Sequence, residues 1–399
     1  MSSPSTPLRS RAWVEVDLDA LRRNLRLVRS AVGGGAGVVP MVKADAYGLG
    51  MRAVAEALRR ELAPDGPWAF GVAAVAEGEA LRAAGWEGRV LVSAPAPPDE
   101  LPRAARAGLT PCLSDLDSVR LWAEAAEAGR RLPFHLEVDT GMGRAGLPWN
   151  EAAGWGGEVA RSAADRLVWE GCFTHFHSAD EPDLAATDRQ WERFRHALSL
   201  LPPQAEGDPP RVVHTSNSAA ALRRAGYGCD LVRPGIFLYG GEAGADVHPE
   251  PVASVRARLA RVRGVPAGAT VGYGATHTAP GPEVWGTAAI GYGDGLRRAL
   301  APAGGEAIVR GVRVPIVGRI SMDVSVLNLS RLPGAADVRP GEVATFVGRD
   351  GAEEIRVDEV AARCGTISYE ILTGLTQRLP RVYLGGGGPR PIPFSERKS

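Results

Sequence analysis

The chain has 399 residues, 45% of them hydrophobic and 23% charged, which is ordinary for a globular protein and long enough for two domains or for one large barrel with an appendage. Forty-six basic residues balance forty-six acidic ones, so no global field draws the chain to nucleic acid or to an anionic membrane surface. No apolar run reaches the length of a membrane span, residues 1–10 lack the apolar core of a secretory signal, and Cys112, Cys172, Cys229 and Cys364 show neither close pairing nor zinc spacing; a soluble cytoplasmic protein with reduced thiols and no metal is expected. An amphipathic stretch at 18–30 comes first. Eight β-prone runs follow, at 38–44, 68–73, 89–93, 109–114, 134–139, 167–176, 211–216 and 231–239, with helical signals between them, as at 74–84, 116–129 and 188–200. Alternation of this kind predicts an α/β fold, a (β/α)8 barrel of the TIM type, for which about 250 residues are typical. After about residue 244 the texture changes: 252–265, 284–291, 306–317, 323–329 and 342–347 are short, rich in Val and Ile, and punctuated by Gly, Pro and Asp, which predicts a mostly antiparallel β domain. The expected organisation is a barrel over 1–245 with a short N-terminal extension, a β domain over 246–384, and a flexible Gly-rich tail over 385–399.

One residue count stands apart. Of the forty-six basic residues only Lys43 and Lys398 are lysine, and Lys398 falls in the tail. Lys43 is therefore the one primary amine in the body of the chain able to lose its proton and attack a carbonyl, which a guanidinium cannot do. It sits at the end of the first predicted strand, and in barrels of this type chemistry collects at the C-terminal strand ends. The other predicted strand ends offer Ser93, Ser114, Glu137 with Asp139, His175, His214 with Ser216 and Ser218, and Arg233. Strand ends are polar in any barrel because they meet water, so each residue alone carries little weight. A single lysine, two histidines and an arginine aimed at one mouth carry more.

Several of these residues lie in longer motifs: VVPMVKADAYGLG (38–50), EVDTGMGRAG (137–146), THFHSADE (174–181), HTSNSAA (214–220) and RPGIFLYG (233–240), then VGYGATHTA (271–279), IGYGDG (290–295), GRISMD (318–323) and GTISYEI (365–371). In this order they resemble the alanine racemase family over residues 11–383, nearly the whole chain. That family is a barrel followed by a β domain, which matches the organisation read above from the residues alone.

The resemblance implies pyridoxal 5'-phosphate as cofactor, with Lys43 linked covalently to its aldehyde and then serving as one base. It implies that Tyr273 is the second base, on the opposite face of the substrate carbon; a free phenol has pKa near 10 and needs help to act near neutrality. It places His214 against Tyr273 with Arg233 behind, and Arg233 at the cofactor's ring nitrogen. A permanently charged guanidinium cannot accept the proton that a carboxylate partner would stabilise there, and this favours racemisation over transamination. The phosphate falls to Tyr47, Ser218 and the backbone amides of Gly235 and Ile236. His175 lines the ring, and Arg144 with the backbone N–H of Met322 receives the substrate carboxylate.

Three positions depart from the family pattern. Leu49 replaces a histidine and is expected to affect packing only. Glu137 stands where many members carry a lysine that becomes carbamylated, so it supplies a fixed negative charge and is expected to orient Arg144. Gln377 is matched to a family tyrosine near the phosphate, which implies a missing ring wall and a relaxed pocket. The resemblance therefore implies an amino-acid racemase acting on alanine for peptidoglycan supply, with a racemase of broader or serine-type range as the alternative. A barrel-type decarboxylase and a non-catalytic cofactor-binding barrel are the more distant rivals. Because Lys43 and Tyr273 fall in different domains yet must reach one carbon, the resemblance further implies a homodimer with shared sites.

Overall fold

A computed structural model describes residues 10–385 except Gly34 and Gly228; the expected tail, beyond its first residue, lies outside the described residues, and Lys398 with it. Eight parallel strands make the barrel. In order around it they are Gly37–Val38, Leu231–Val232, Val212–His214, Leu167–Phe173, Leu132–Asp139, Thr110–Leu113, Val90–Val92 and Phe70–Val72. The seam between last and first closes through Trp68 N–H to the Val38 carbonyl (2.9 Å), Gly71 N–H to Pro40 (3.0 Å) and Val42 N–H to Gly71 (2.8 Å). Regular pairing is shorter than the β-prone runs in the first strand and in its other neighbour, Leu231–Val232. Pro40 and Pro234 have no N–H to continue a ladder, so the regular strands stop at Val38 and Val232. The first run nevertheless stays extended along Gly71 as far as Val42, which delivers Lys43 to the C-terminal end. The eighth ends in a 3-10 turn, Ile236–Tyr239, rather than as a strand.

The helices follow the sequence closely. Leu18–Val32 is capped by Asp17, whose carboxylate accepts the N–H groups of Asp19 and Ala20 (2.9 Å each), and it buries Leu21, Leu25 and Val28. The predicted helices at 74–84 and 188–200 are Val75–Ala83 and Ala185–Ser199. That at 116–129 is Leu116–Glu124 and stops short of Gly129, whose φ of +79° a helix cannot include. No helix among the described residues is long and apolar enough to cross a membrane.

A second sheet of nine strands holds most of the rest, while Thr270–Val271 and His277–Thr278 pair only with each other. Its centre is the long strand Ala253–Val265, which pairs antiparallel with Glu283–Ala288 and with Val343–Asp350 and shifts register at Val255/Arg256 and at Leu259/Arg261. Through Glu306–Val309, Val312–Val317 and Ser325–Asn328 the sheet curls back on itself. The strand Ala12–Asp17 belongs here and not with the barrel. It pairs antiparallel with Ala253–Val265 (Val14 opposite Val255) and parallel with Arg381–Leu384 (Val14 opposite Arg381). This corrects the expectation that residues before 245 form one unit; the alternating segment AWVEVD buries Ala12, Val14 and Val16 within the second sheet's core.

Candidate active site

Immediately after Lys43 the backbone makes a left-handed turn. Ala44, Asp45, Ala46 and Tyr47 have φ between +52° and +56°, a region that costs a non-glycine residue about 1–2 kcal/mol. Four such residues in a row need external support. Glu77 accepts the Ala44 N–H (2.7 Å) and the Ala73 N–H (2.7 Å) on one carboxylate. The Asp45 carboxylate accepts Met51 N–H (2.7 Å), and Arg381 donates twice to the Gly48 carbonyl (2.9 and 2.7 Å). Tyr47 stacks on Tyr239 with centroids 4.5 Å apart. At Gly48, φ is +82° and a Cβ would stand 2.6 Å from the Leu372 carbonyl, so only glycine lets the helix Ser368–Thr373 close on this turn. Burial, then the charges of Arg144 and Arg233, lower the pKa of the half-buried Lys43 amine, with Glu77 opposing. The amine loses its proton more readily than a free lysine.

Lys43 opens into a cavity of about 280 Å³ at the barrel mouth. Tyr47, Glu137, Arg144, His175 and Ser218 line it, together with Arg233, Gly235 and Ile236. Every barrel residue expected at the site is thus in one place except His214. Arg233 is the fixed point. Its guanidinium donates to the Thr174 and Thr215 carbonyls (3.0 Å each), to His214 Nδ1 (2.5 Å) and, at 3.5 Å, to His175 Nδ1. Burial pushes its pKa down to about 10, against Cys112 and Glu137, so it stays cationic at neutral pH.

His214 differs from expectation. Both ring nitrogens are taken, Nδ1 by Arg233 and Nε2 by His135 Nδ1 at 2.7 Å, and the ring stacks on Phe173 (5.0 Å). It is fully buried inside the barrel and has no face for Tyr273. The strand Val212–His214 turns this side chain inward, so Arg233 stands between it and the cavity. His175, beyond the end of Leu167–Phe173, is the histidine at the mouth.

Ser218 begins the helix Ser218–Arg223, where Asn217 is the cap, and Ser218 Oγ accepts the Gly235 N–H (2.8 Å). A Cβ at Gly235 would collide with Tyr47 Oη at 2.2 Å; the phenol and bare backbone meet there. As the first residue of its 3-10 turn, Ile236 carries an N–H of the kind that helices leave unpaired. Glu137 is buried and accepts Ser114 Oγ–H (3.1 Å). Burial raises its pKa, and Ser114, Arg144 and Arg233 oppose this. Arg144 is exposed at the mouth, so the expected direct Glu137–Arg144 pair gives way to a longer-range attraction. Gln377 is exposed and outside the cavity. The ring wall is Tyr369, which lines the cavity 5.9 Å from the Tyr47 ring. The expectation of a missing wall is overturned: Tyr369 sits within the SYE of GTISYEI itself, eight positions before Gln377. Tyr273 (68% exposed) and Met322 (51% exposed) lie in the β domain and do not line this cavity.

The buried histidines make a stability prediction. Burial, reinforced by Arg233, pushes His175 down to about 3 and holds His214 well below its usual range. An unfolded imidazole titrates near 6.5, so below that pH the unfolded chain binds more protons than the folded one. Stability is therefore intact above pH 6.5 and falls with acidification, by up to ~1.4 kcal/mol per pH unit for each such histidine. Urea midpoints measured from pH 7.5 to 5 are expected to drop below pH 6.5; a flat profile would contradict neutral buried rings.

A closed barrel that aims one amine of lowered pKa and one buried guanidinium into a mouth cavity has the layout of barrel enzymes, whose chemistry gathers at the C-terminal strand ends. Sequence profiles agree and are more specific. The alanine racemase N-terminal domain matches residues 16–243 and the C-terminal domain matches 252–383. The alanine racemase of Carboxydothermus hydrogenoformans is 38% identical over 93% of this chain and 99% of its own. The crystal structure of alanine racemase from Bacillus anthracis with bound L-Ala-P superposes with a TM-score of 0.85 at 34% identity, covering 96% of this chain and 97% of that one. That of Bartonella henselae, with covalently bound pyridoxal phosphate, superposes with a TM-score of 0.82 at 28% identity over 94% and 100% of the two chains. The chain belongs to the alanine racemase family, and it is an isomerase of the amino-acid racemase class.

Proposed function

We propose that this chain interconverts L- and D-alanine with pyridoxal 5'-phosphate in the barrel-mouth cavity, as a homodimer whose sites are shared. The observation that carries this reading is the meeting of Lys43 and Arg233 in one cavity. The cavity fits the cofactor on its own terms. It offers an amine of lowered pKa for the aldehyde, and at Gly235 a stretch where a Cβ has no room beside Tyr47 Oη, with the Ser218 hydroxyl adjacent for a phosphate. Bound there, pyridoxal phosphate supplies an electron-accepting ring conjugated to the substrate nitrogen, which acidifies the Cα–H bond.

The remaining work falls to the chain. Lys43 takes a proton from, or returns one to, Cα on one face. Tyr273 serves the opposite face; since it does not line the cavity of its own chain, a second copy provides it. The exposure of Tyr273, Met322, Tyr292 and Ile367 on the single chain supports a covered surface in the assembly. Arg144 orients the substrate carboxylate by its fork of donors, with the Met322 N–H of the partner as the second donor. Glu137 balances the nearby cations without any modification. Arg233 can only donate hydrogen bonds, so a ring nitrogen facing it stays unprotonated, which disfavours transamination. Tyr369 as a ring wall supports alanine over larger substrates. Supply of D-alanine to peptidoglycan precursors in the cytoplasm is the role this reading assigns.

Incubating single enantiomers of alanine and serine in deuterated water and measuring chirality and α-deuterium together tests it. Alanine is expected to racemise with deuterium entering at Cα, and serine to turn over far more slowly. Chirality lost without deuterium, or serine turned over as fast as alanine, would contradict the reading.

A further inference from the structure

Behind Arg233 a row of buried polar side chains continues into the barrel, away from the cavity. His214 Nε2 lies 2.7 Å from His135 Nδ1, and His135 Nε2 faces Glu170 Oε2 at 3.5 Å. Glu170 Oε1 accepts the Arg89 Nε–H (3.1 Å). Both imidazoles are fully buried and the Glu170 side chain nearly so. Neither His135 Nε2 nor Glu170 Oε2 has a hydrogen-bond partner: two buried polar atoms face each other at ion-pair distance, one small shift from a bond. Space for the row is provided by Gly171, where a Cβ would stand 2.4 Å from His135 Nδ1.

The direction of every proton in this row follows from its ends. A guanidinium has no acceptor, so His214 Nδ1 must present a lone pair to Arg233. A neutral His214 then carries its proton on Nε2 and donates to His135 Nδ1. That occupies the His135 Nδ1 lone pair, which leaves the His135 proton on Nε2, directed at Glu170. The reverse order would need a protonated Glu170 donating to His135, and it would end with a His214 Nδ1–H pressed against a guanidinium N–H. Only an ionised Glu170 closes the row with every group satisfied, and Arg89 beside it favours that state.

We propose that Glu170 is a positioning residue of the racemase: through His135 and His214 it fixes the proton of each ring on Nε2 and so keeps a lone pair behind Arg233. The proposal rests on the racemase reading for its catalytic consequence, but not for its geometry. Removing the carboxylate leaves a buried N–H without an acceptor, which the row relieves by letting His135 shift its proton to Nδ1 and break the bond from His214. Arg233 then loses its rigid backing.

Histidine-selective ¹⁵N labelling of the full-length protein, with and without pyridoxal phosphate, reads both tautomers directly from long-range ¹H–¹⁵N correlations. In the wild type, His135 and His214 are expected neutral with the proton on Nε2. Glu170→Met is expected to bring up an Nδ1–H form of His135 and to lower kcat at least about ten-fold, the range for outer partners that orient an inner group. An Nδ1–H ring in the wild type overturns the proposal even if the variant fails to fold. Unchanged tautomers or an unchanged kcat in a folded Glu170→Met would overturn it too. Since the tautomers are read without substrate, their failure is distinguishable from failure of the racemase reading.

Discussion

Lys43→Arg is expected to abolish racemisation and to prevent covalent attachment of pyridoxal phosphate. Arginine preserves the positive charge at the end of the first barrel strand, but a guanidinium does not condense with an aldehyde and does not lose its proton at neutral pH. The loss combines two functions of one amine, attachment and proton transfer, and general-base removal alone costs about 10²–10⁴-fold. The visible absorbance of bound cofactor should vanish with the activity. Chemical mapping is unusually clean here, because Lys43 is the only lysine among the described residues and the sequence has just one other. Borohydride reduction of the loaded protein followed by peptide mapping is expected to place the adduct on Lys43. An adduct on Lys398 or on the N-terminal amine would sink the assignment.

A comparable loss is expected from Lys43→Ala or Tyr273→Phe alone, with recovery when the two inactive proteins exchange subunits. On the shared-site reading each cavity takes its lysine from one protomer and its tyrosine from the other. In a mixed dimer one cavity then has neither base and the other has both. Random exchange of equal amounts makes half the dimers mixed, so roughly a quarter of the wild-type sites should return, by the two-fold symmetry of the assembly. Chiral chromatography of alanine after mixing measures the recovery, and tagged subunits confirm the exchange. No recovery after verified exchange, or full activity from a monomer, would falsify the shared site.

Much of the barrel and of its mouth was legible in the residues. The β-prone runs and helical signals alternate along the chain, and polar residues mark the strand ends, so the residues alone place Lys43, His175 and Arg233 at one mouth, where the structure has them. His214 departs from the expectation for a physical reason. It ends a three-residue strand, and a shift of one residue decides whether a side chain faces the mouth or the interior; neither composition nor motif carries that register. Matching Gln377 to the family tyrosine, and so expecting no ring wall, takes order along the chain for position at the pocket, whereas the helix Ser368–Thr373 brings Tyr369 there. The left-handed turn after Lys43 has no sequence signal at all, since Ala44, Asp45, Ala46 and Tyr47 include no glycine. Glu170 and His135 are thirty-five positions apart, and only strand pairing makes them neighbours.

The strand Ala12–Asp17, held between Ala253–Val265 and Arg381–Leu384, makes the barrel an insertion within the β domain. Two covalent crossings join the halves where a simple tandem arrangement has one, so rotation of one half about the other is restrained by the chain itself. Arg381 strengthens the restraint from the strand Arg381–Leu384 by its grip on the Gly48 carbonyl, at the end of the turn that follows Lys43. Order of synthesis matters as well. On the ribosome the first strand emerges well before either neighbour exists, the barrel can close while that strand waits, and its second side is paired only when residues 381–384 arrive. A ribosome stalled before that point would therefore display a finished barrel and an Ala12–Asp17 strand with one side unpaired, open to pairing with another copy of the chain.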